Sequence, residues 1–75
     1  MPSFFATTLT RADHVQSFVV QPSYPTGWEA SRRSDEQVVH RKHYEDWHRV
    51  ERTVDQFTRE IASLREQGWR EIPQG

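Results

Sequence analysis

The sequence contains no cysteine. Disulfides, thiolate metal sites and a cysteine nucleophile are therefore excluded, and the absence fits a reducing compartment. No apolar run approaches the roughly 20 residues that a membrane-spanning helix needs. The N-terminus lacks the basic-then-apolar order of a secretory signal. A soluble, cytoplasmic protein with no membrane association is the expectation. Glycine is scarce, with three in 75 residues. No glycine-rich loop can cradle a phosphate, and no nucleophile-elbow pattern occurs. Charge of one sign is lacking as well: ten Lys and Arg against eleven Asp and Glu leave a net charge of −1, so no global field draws the chain to nucleic acid. At 33% the apolar share is low for a chain that has room for one domain. Small domains often gain further burial by self-association, and with disulfides excluded a homodimer is expected.

Aromatic residues are not lacking. They make up 12% of the chain and include three tryptophans, so rings are expected to carry much of the core. The organising stretch runs from Tyr44 to Trp69. Within it Trp47, Val50, Val54, Phe57, Ile61 and Leu64 recur at alternating steps of three and four, which places all six on one stripe of an α-helix. The residues between them are charged or polar, and neither glycine nor proline interrupts the run. Asp46 reads as the N-cap and Gly68 as the left-handed C-terminal cap, so the helix should cover about 46–67. Glu45–Arg49 and Asp55–Arg59 are spaced as i,i+4 ion pairs, each contributing about 0.3 kcal/mol. The same spacing would suit helix-to-helix pairing, but the flanking Glu51, Thr53, Thr58, Glu60, Arg65 and Gln67 form no charge code. The helix is therefore placed on a sheet of its own chain, leaving the sheet edge or the end of the stripe for pairing.

Upstream, residues 1–16 mix Phe4, Phe5 and Leu9 with threonines and a polar Arg11-Ala12-Asp13-His14. They read as a short strand, an arm that docks on a partner, or a loosely ordered tail ahead of a single small domain at 17–75. Ser17–Gln21 is β-prone and stops at Pro22, and two prolines and a glycine mark a loop at 22–27. Residues from about 28 to 44 read as a hairpin turning at Ser34-Asp35-Glu36. Ser34–Gln37 also matches a capping box, which would extend the helix back to about Asp35. The β-branched pair Val38-Val39 and the length of such a helix favour the hairpin. A short final strand at 69–72 is an option. The expected fold is α+β: a short antiparallel meander packed on one long amphipathic C-terminal helix. Trp28, Trp47, Val50, Val54, Phe57, Ile61, Leu64 and Trp69 should form its core, with Phe18 and Val20.

Chemistry is thinly represented. His40, His43 and His48 fall within nine residues, but no two are four apart, so they do not form a helical metal-ligand pair. On a strand His40 and His43 would face opposite ways. No metal or other cofactor is expected. Glu51 with Asp55, or Glu45 with His48, falls on the solvent side of the helix, where no pocket is implied. The candidate binding residues are instead the basic Arg32, Arg33, Arg41 and Lys42 on the two arms of the hairpin, with Tyr24 and Tyr44 as stacking surfaces. Such a patch suits nucleic acid or an acidic protein partner, and its usual meaning is a solvated sheet face. The functional expectation is a non-enzymatic protein-interaction module that self-associates, with a nucleic-acid-binding module as the alternative.

Overall fold

Alternation along the first half of the chain builds a sheet with two unlike faces. In the computed structural model, residues 5–72 are described. Strand β1 (Phe5–Arg11) pairs with β2 (His14–Pro22), β2 with β3 (Trp28–Ser34) and β3 with β4 (Gln37–Tyr44), every pair antiparallel. Helix α1 (Trp47–Glu66) then carries the chain back across the sheet to β5 (Arg70–Ile72), which pairs with β1 at Thr8–Thr10. The strand order is therefore β4-β3-β2-β1-β5, with β4 and β5 as the two edges. A 20-residue helix is about 30 Å long, and five strands at about 4.8 Å spacing span about 19 Å. One helix is thus long enough to join opposite edges.

The α+β fold, the hairpin over 28–44 and the long helix agree with the sequence reading, and the sheet is larger than that reading proposed. Residues 5–16 are not a separate arm. Leu9 on β1 is fully buried, and β1 lies inside the sheet between β2 and β5. Only Leu9 marks the buried side of this strand, because its neighbours there are the partly buried Phe5 and a threonine, so the apolar alternation is faint. Met1–Phe4 and Pro73–Gly75 lie outside the described residues.

Leu9, Phe18, Val20, Ala30, Val50, Phe57 and Ile61 form the buried core between the sheet and α1. Each fully buried large side chain contributes roughly 1.5–3 kcal/mol. Phe57 is central: its ring meets Phe18 edge-to-face at 5.2 Å and Phe5 at 6.4 Å between centroids. Phe5, Trp28, Tyr44, Val54, Leu64 and Trp69 pack around this cluster half-buried. Trp47 departs from the expected core, with 40% of its surface exposed. It opens the helix at the end of the stripe and leans on Trp28, centroids 5.1 Å apart, rather than entering the core. Thr53 is buried on the helix between Val50 and Phe57, its hydroxyl donating to the Arg49 carbonyl.

Both caps form. Asp46 accepts from the His48 N–H at 3.0 Å. At the other end Gly68 (φ +99°) lets the Trp69 N–H reach the Leu64 carbonyl and its own N–H reach that of Arg65, a Schellman motif whose flanking Leu64 and Trp69 both pack against the core. Asp55 and Arg59 pair at 2.9 Å, whereas Glu45 precedes the N-cap, outside the helix, and accepts from Thr26 instead of pairing with Arg49. Ser34–Gln37 becomes the turn of the hairpin, not a helix start. Ser34 pairs with Gln37, and the two residues between them, Asp35 (φ +50°) and Glu36 (φ +72°), adopt the left-handed backbone of a two-residue hairpin turn.

Candidate interaction surface

The register of the β3–β4 hairpin decides where the basic side chains go. Arg32 pairs with His40, Ala30 with Lys42 and Trp28 with Tyr44, all on the helix side of the sheet. Arg33, Arg41 and Glu29 lie on the opposite, open side. A bulge between Arg32 and Arg33 leaves Val39 without a partner residue, because Arg33 already pairs with Val38. The four candidate cations are therefore split in pairs, Arg32 with Lys42 and Arg33 with Arg41.

On the helix side these residues line a cleft of about 280 Å³ between β4 and α1, with Thr53, Gln56 and Glu60 on its helical wall. Arg32 is held there on three sides. Its Nη1 donates to Glu60 at 3.2 Å, its Nη2 to Gln16 at 3.1 Å, and its guanidinium carbon stands 5.4 Å from the Phe18 ring centroid. Its Nε is buried without a hydrogen-bond partner. Lys42 reaches outward, its ammonium 5.6 Å from the centroid of the Tyr44 ring. Tyr44 is thus brought beside a candidate cation and half-buried. Tyr24 is not: it stands in the β2–β3 loop, 96% exposed. Gly27 closes that loop with φ +83°, and a Cβ there would meet the Tyr44 carbonyl at 2.5 Å and the His43 ring at 2.8 Å. Only glycine lets loop and strand approach so closely.

The open side is built from short side chains. Ala6, Thr8, Ser17, Val19 and Ser31 lie at its centre, and Gln21, Glu29, Arg33 and Arg41 border it. Thr8 and Ser17 share a hydroxyl hydrogen bond of 3.2 Å, and Arg41 is 3.6 Å from Glu29. Among the described residues, those that line the hollow on this face include no phenylalanine, tyrosine or tryptophan.

β4 is the most exposed of the four long strands. Seven of its eight residues are exposed, including Val38 at 41% and Val39 at 57%. It is an edge strand, so one side of its backbone carries unpaired N–H and C=O groups. It contains His40, Arg41, Lys42 and His43 and no acidic residue.

A polar junction that the sequence did not single out lies at the far end of the sheet. Asp35, in the β3–β4 turn, accepts from the Val15 N–H at 2.8 Å and meets His14 Nδ1 at 2.9 Å, and the Asp35 N–H donates to the Val15 carbonyl. The hydrogen bond and charge of Asp35 raise the His14 pKa above its ordinary 6.5. The His14 and Val15 hydrogen bonds lower that of Asp35 from 3.8. Both groups are at the surface, beside an open hollow that Asp13, Ser17, Arg33 and Glu36 also line. The pair is separated by 21 residues, so no local pattern announces it. Its chemistry is that of a tie between two hairpin ends. Among the described residues no group of three or more His, Cys, Asp or Glu is placed to hold a metal ion. No described helix is long and apolar enough to cross a membrane. Comparison of the chain with protein-family models, with curated proteins and with solved structures finds no match.

Proposed function

We propose that this protein is a non-enzymatic protein-interaction module, and that it binds by adding an extended segment of protein to the free edge of β4. One observation carries the reading: an eight-residue edge strand, nearly all exposed and with two valines at the surface, stands next to a helix that already has its own sheet to cover. Strand addition needs such an edge, since main-chain hydrogen bonds supply the affinity. The apolar stripe of α1 is spent inside the fold, so pairing of two helices through that stripe does not support the module. Self-association, if it is the mode of action, falls to the same edge.

The test is a proton–nitrogen spectrum of the protein, recorded first over a wide range of concentration and then against capped eight-residue extended peptides of varied charge. Shifts centred on Val38–Tyr44, with slower amide exchange there, are the expected result. Shifts on the outer face of α1 or on the open side of the sheet, with β4 silent throughout, would overturn the reading.

A further inference from the structure

Charge is the property that distinguishes this edge. The chain as a whole is slightly acidic, yet Gln37–Tyr44 carries Arg41, Lys42 and two histidines without a single carboxylate. Because side chains alternate across a strand, Lys42 and His40 face the helix side and Arg41 faces the open side. A strand laid along β4 would therefore meet positive charge on both of its faces.

Some of that charge is already engaged. Arg32 is held by Glu60 and Gln16, and Arg41 lies 3.6 Å from Glu29 at the long end of ion-pair range. Lys42 is set against an aromatic ring instead of a carboxylate. Of the two cations on β4 itself, Lys42 is thus the one set against no carboxylate among the described residues, and Arg41 is paired only at long range. A second copy of the chain is a poor occupant for this edge. In an antiparallel β4–β4 pair that overlaps along the whole strand, Arg41 of each copy lies opposite His40 of the other, Lys42 and His43 lie opposite Val39 and Val38, and neither strand brings a carboxylate to face a cation. Like charges placed opposite one another are destabilising. The opposite sign satisfies both faces at once, with the directly opposed Cβ atoms about 5 Å apart.

We infer that the partner of β4 is an extended acidic segment of another protein, with carboxylates on successive residues, one facing Lys42 on the helix side and the next facing Arg41 on the open side. This rests on the strand-addition reading above and names its occupant.

The experiment uses the full chain and four capped eight-residue peptides: a valine peptide with glutamate pairs at positions 3–4 and 6–7, which places carboxylates on both faces of the strand, the same with glutamine for glutamate, the same with lysine for glutamate, and the glutamate peptide with proline at its fifth position. Binding is followed by amide shifts and by calorimetry. The glutamate peptide should bind at β4 and weaken as salt is raised. The glutamine peptide should bind roughly tenfold more weakly, which is what two or three cross-strand charge pairs amount to. The lysine and proline peptides should not bind. The double variant Arg41→Glu with Lys42→Glu, both surface positions, should reverse the preference and take the lysine peptide.

Equal binding of the glutamate and glutamine peptides would overturn the acidic partner while leaving strand addition in place. Undiminished binding of the proline peptide would overturn strand addition. Shifts at Arg41 and Lys42 with a single-stranded oligothymidylate, and none with the glutamate peptide, would replace the acidic segment with nucleic acid. A dimer through β4 in the unmodified protein would replace it with a second copy.

Discussion

β4 and β5 border the same sheet, yet β5 offers three residues and β4 eight. Any sheet edge presents unpaired backbone groups to passing strands. At β5 the problem is small because the strand is short. It is also anchored by the helix end: the Trp69 N–H is tied back to Leu64, and Glu71 lies 3.3 Å from Arg65. At β4 length is retained, and indiscriminate pairing is opposed by charge and by the bulge at Arg32–Arg33 instead. The difference teaches that an edge can be closed to all comers by brevity, or filtered by charge. A filtered edge remains a place where one kind of partner fits.

Three perturbations would break or sharpen this contrast. The largest is Phe57→Ala, which empties the middle of the core under β2 and should cost about 3–5 kcal/mol. For a domain of this size that is most or all of its stability. Urea unfolding followed by tryptophan fluorescence and far-ultraviolet dichroism measures it, and both edges should be lost in one transition. A residual, protected β3–β4 hairpin in the variant would show that β4 is held independently of the core.

A smaller effect, of opposite sign, is expected at the β3–β4 turn. Glu36 is held at φ +72°, where a side chain costs on the order of 1 kcal/mol. Glu36→Gly relieves that strain and creates the Asp-Gly pair such turns favour, offset by greater freedom in the unfolded chain. A net gain of about 0.5 kcal/mol should result, with slower amide exchange in β3 and β4 and none of the gain specific to β5. A loss of stability would mean that the glutamate side chain contributes something at this turn that its exposure does not suggest.

The smallest effect is the pH dependence of the tie between the two hairpin ends. His14 has its pKa raised, so its contribution is present below 6.5 and fades as pH rises through the higher folded value. Asp35 has its pKa lowered, so its contribution is present above 3.8 and fades as pH falls through the lower folded value. The tie is strongest between these limits. In melts recorded from about pH 3 to about pH 9, His14→Gln should abolish the alkaline fall due to this pair. It should leave part of the acid fall, because the Val15 N–H still bonds Asp35. An unchanged alkaline limb would place the dependence elsewhere.

How much could be read in advance differs from element to element for physical reasons. The helix was readable to within a residue or two because its signals are local: the three-four stripe, a capping aspartate and a glycine stop. The hairpin was readable from Val38-Val39 and the loop residues, although Ser34–Gln37 serves a capping box as well as a turn. β1 was harder. Its pairing with β2 and β5 is non-local, and a threonine-rich strand with one fully buried residue carries little periodic signal. Trp47 was misplaced because helical spacing says which face a residue is on and not how fully that face is covered at the first residue of the helix. The candidate cations all lie on the hairpin, and their division between two faces depends on register, which one extra residue in a bulge resets.

The amino-acid sequence by itself determined the helix, its two caps, the position of the hairpin and the basic character of Gln37–Tyr44, because each depends on residues within a few positions of one another. Only the tertiary structure decided that Phe5–Arg11 lies inside the sheet, that His14 meets Asp35, and that β4 is left as an open edge. Those outcomes rest on contacts between residues far apart in the chain, where the cost of bringing segments together is set by the whole fold and not by any local pattern.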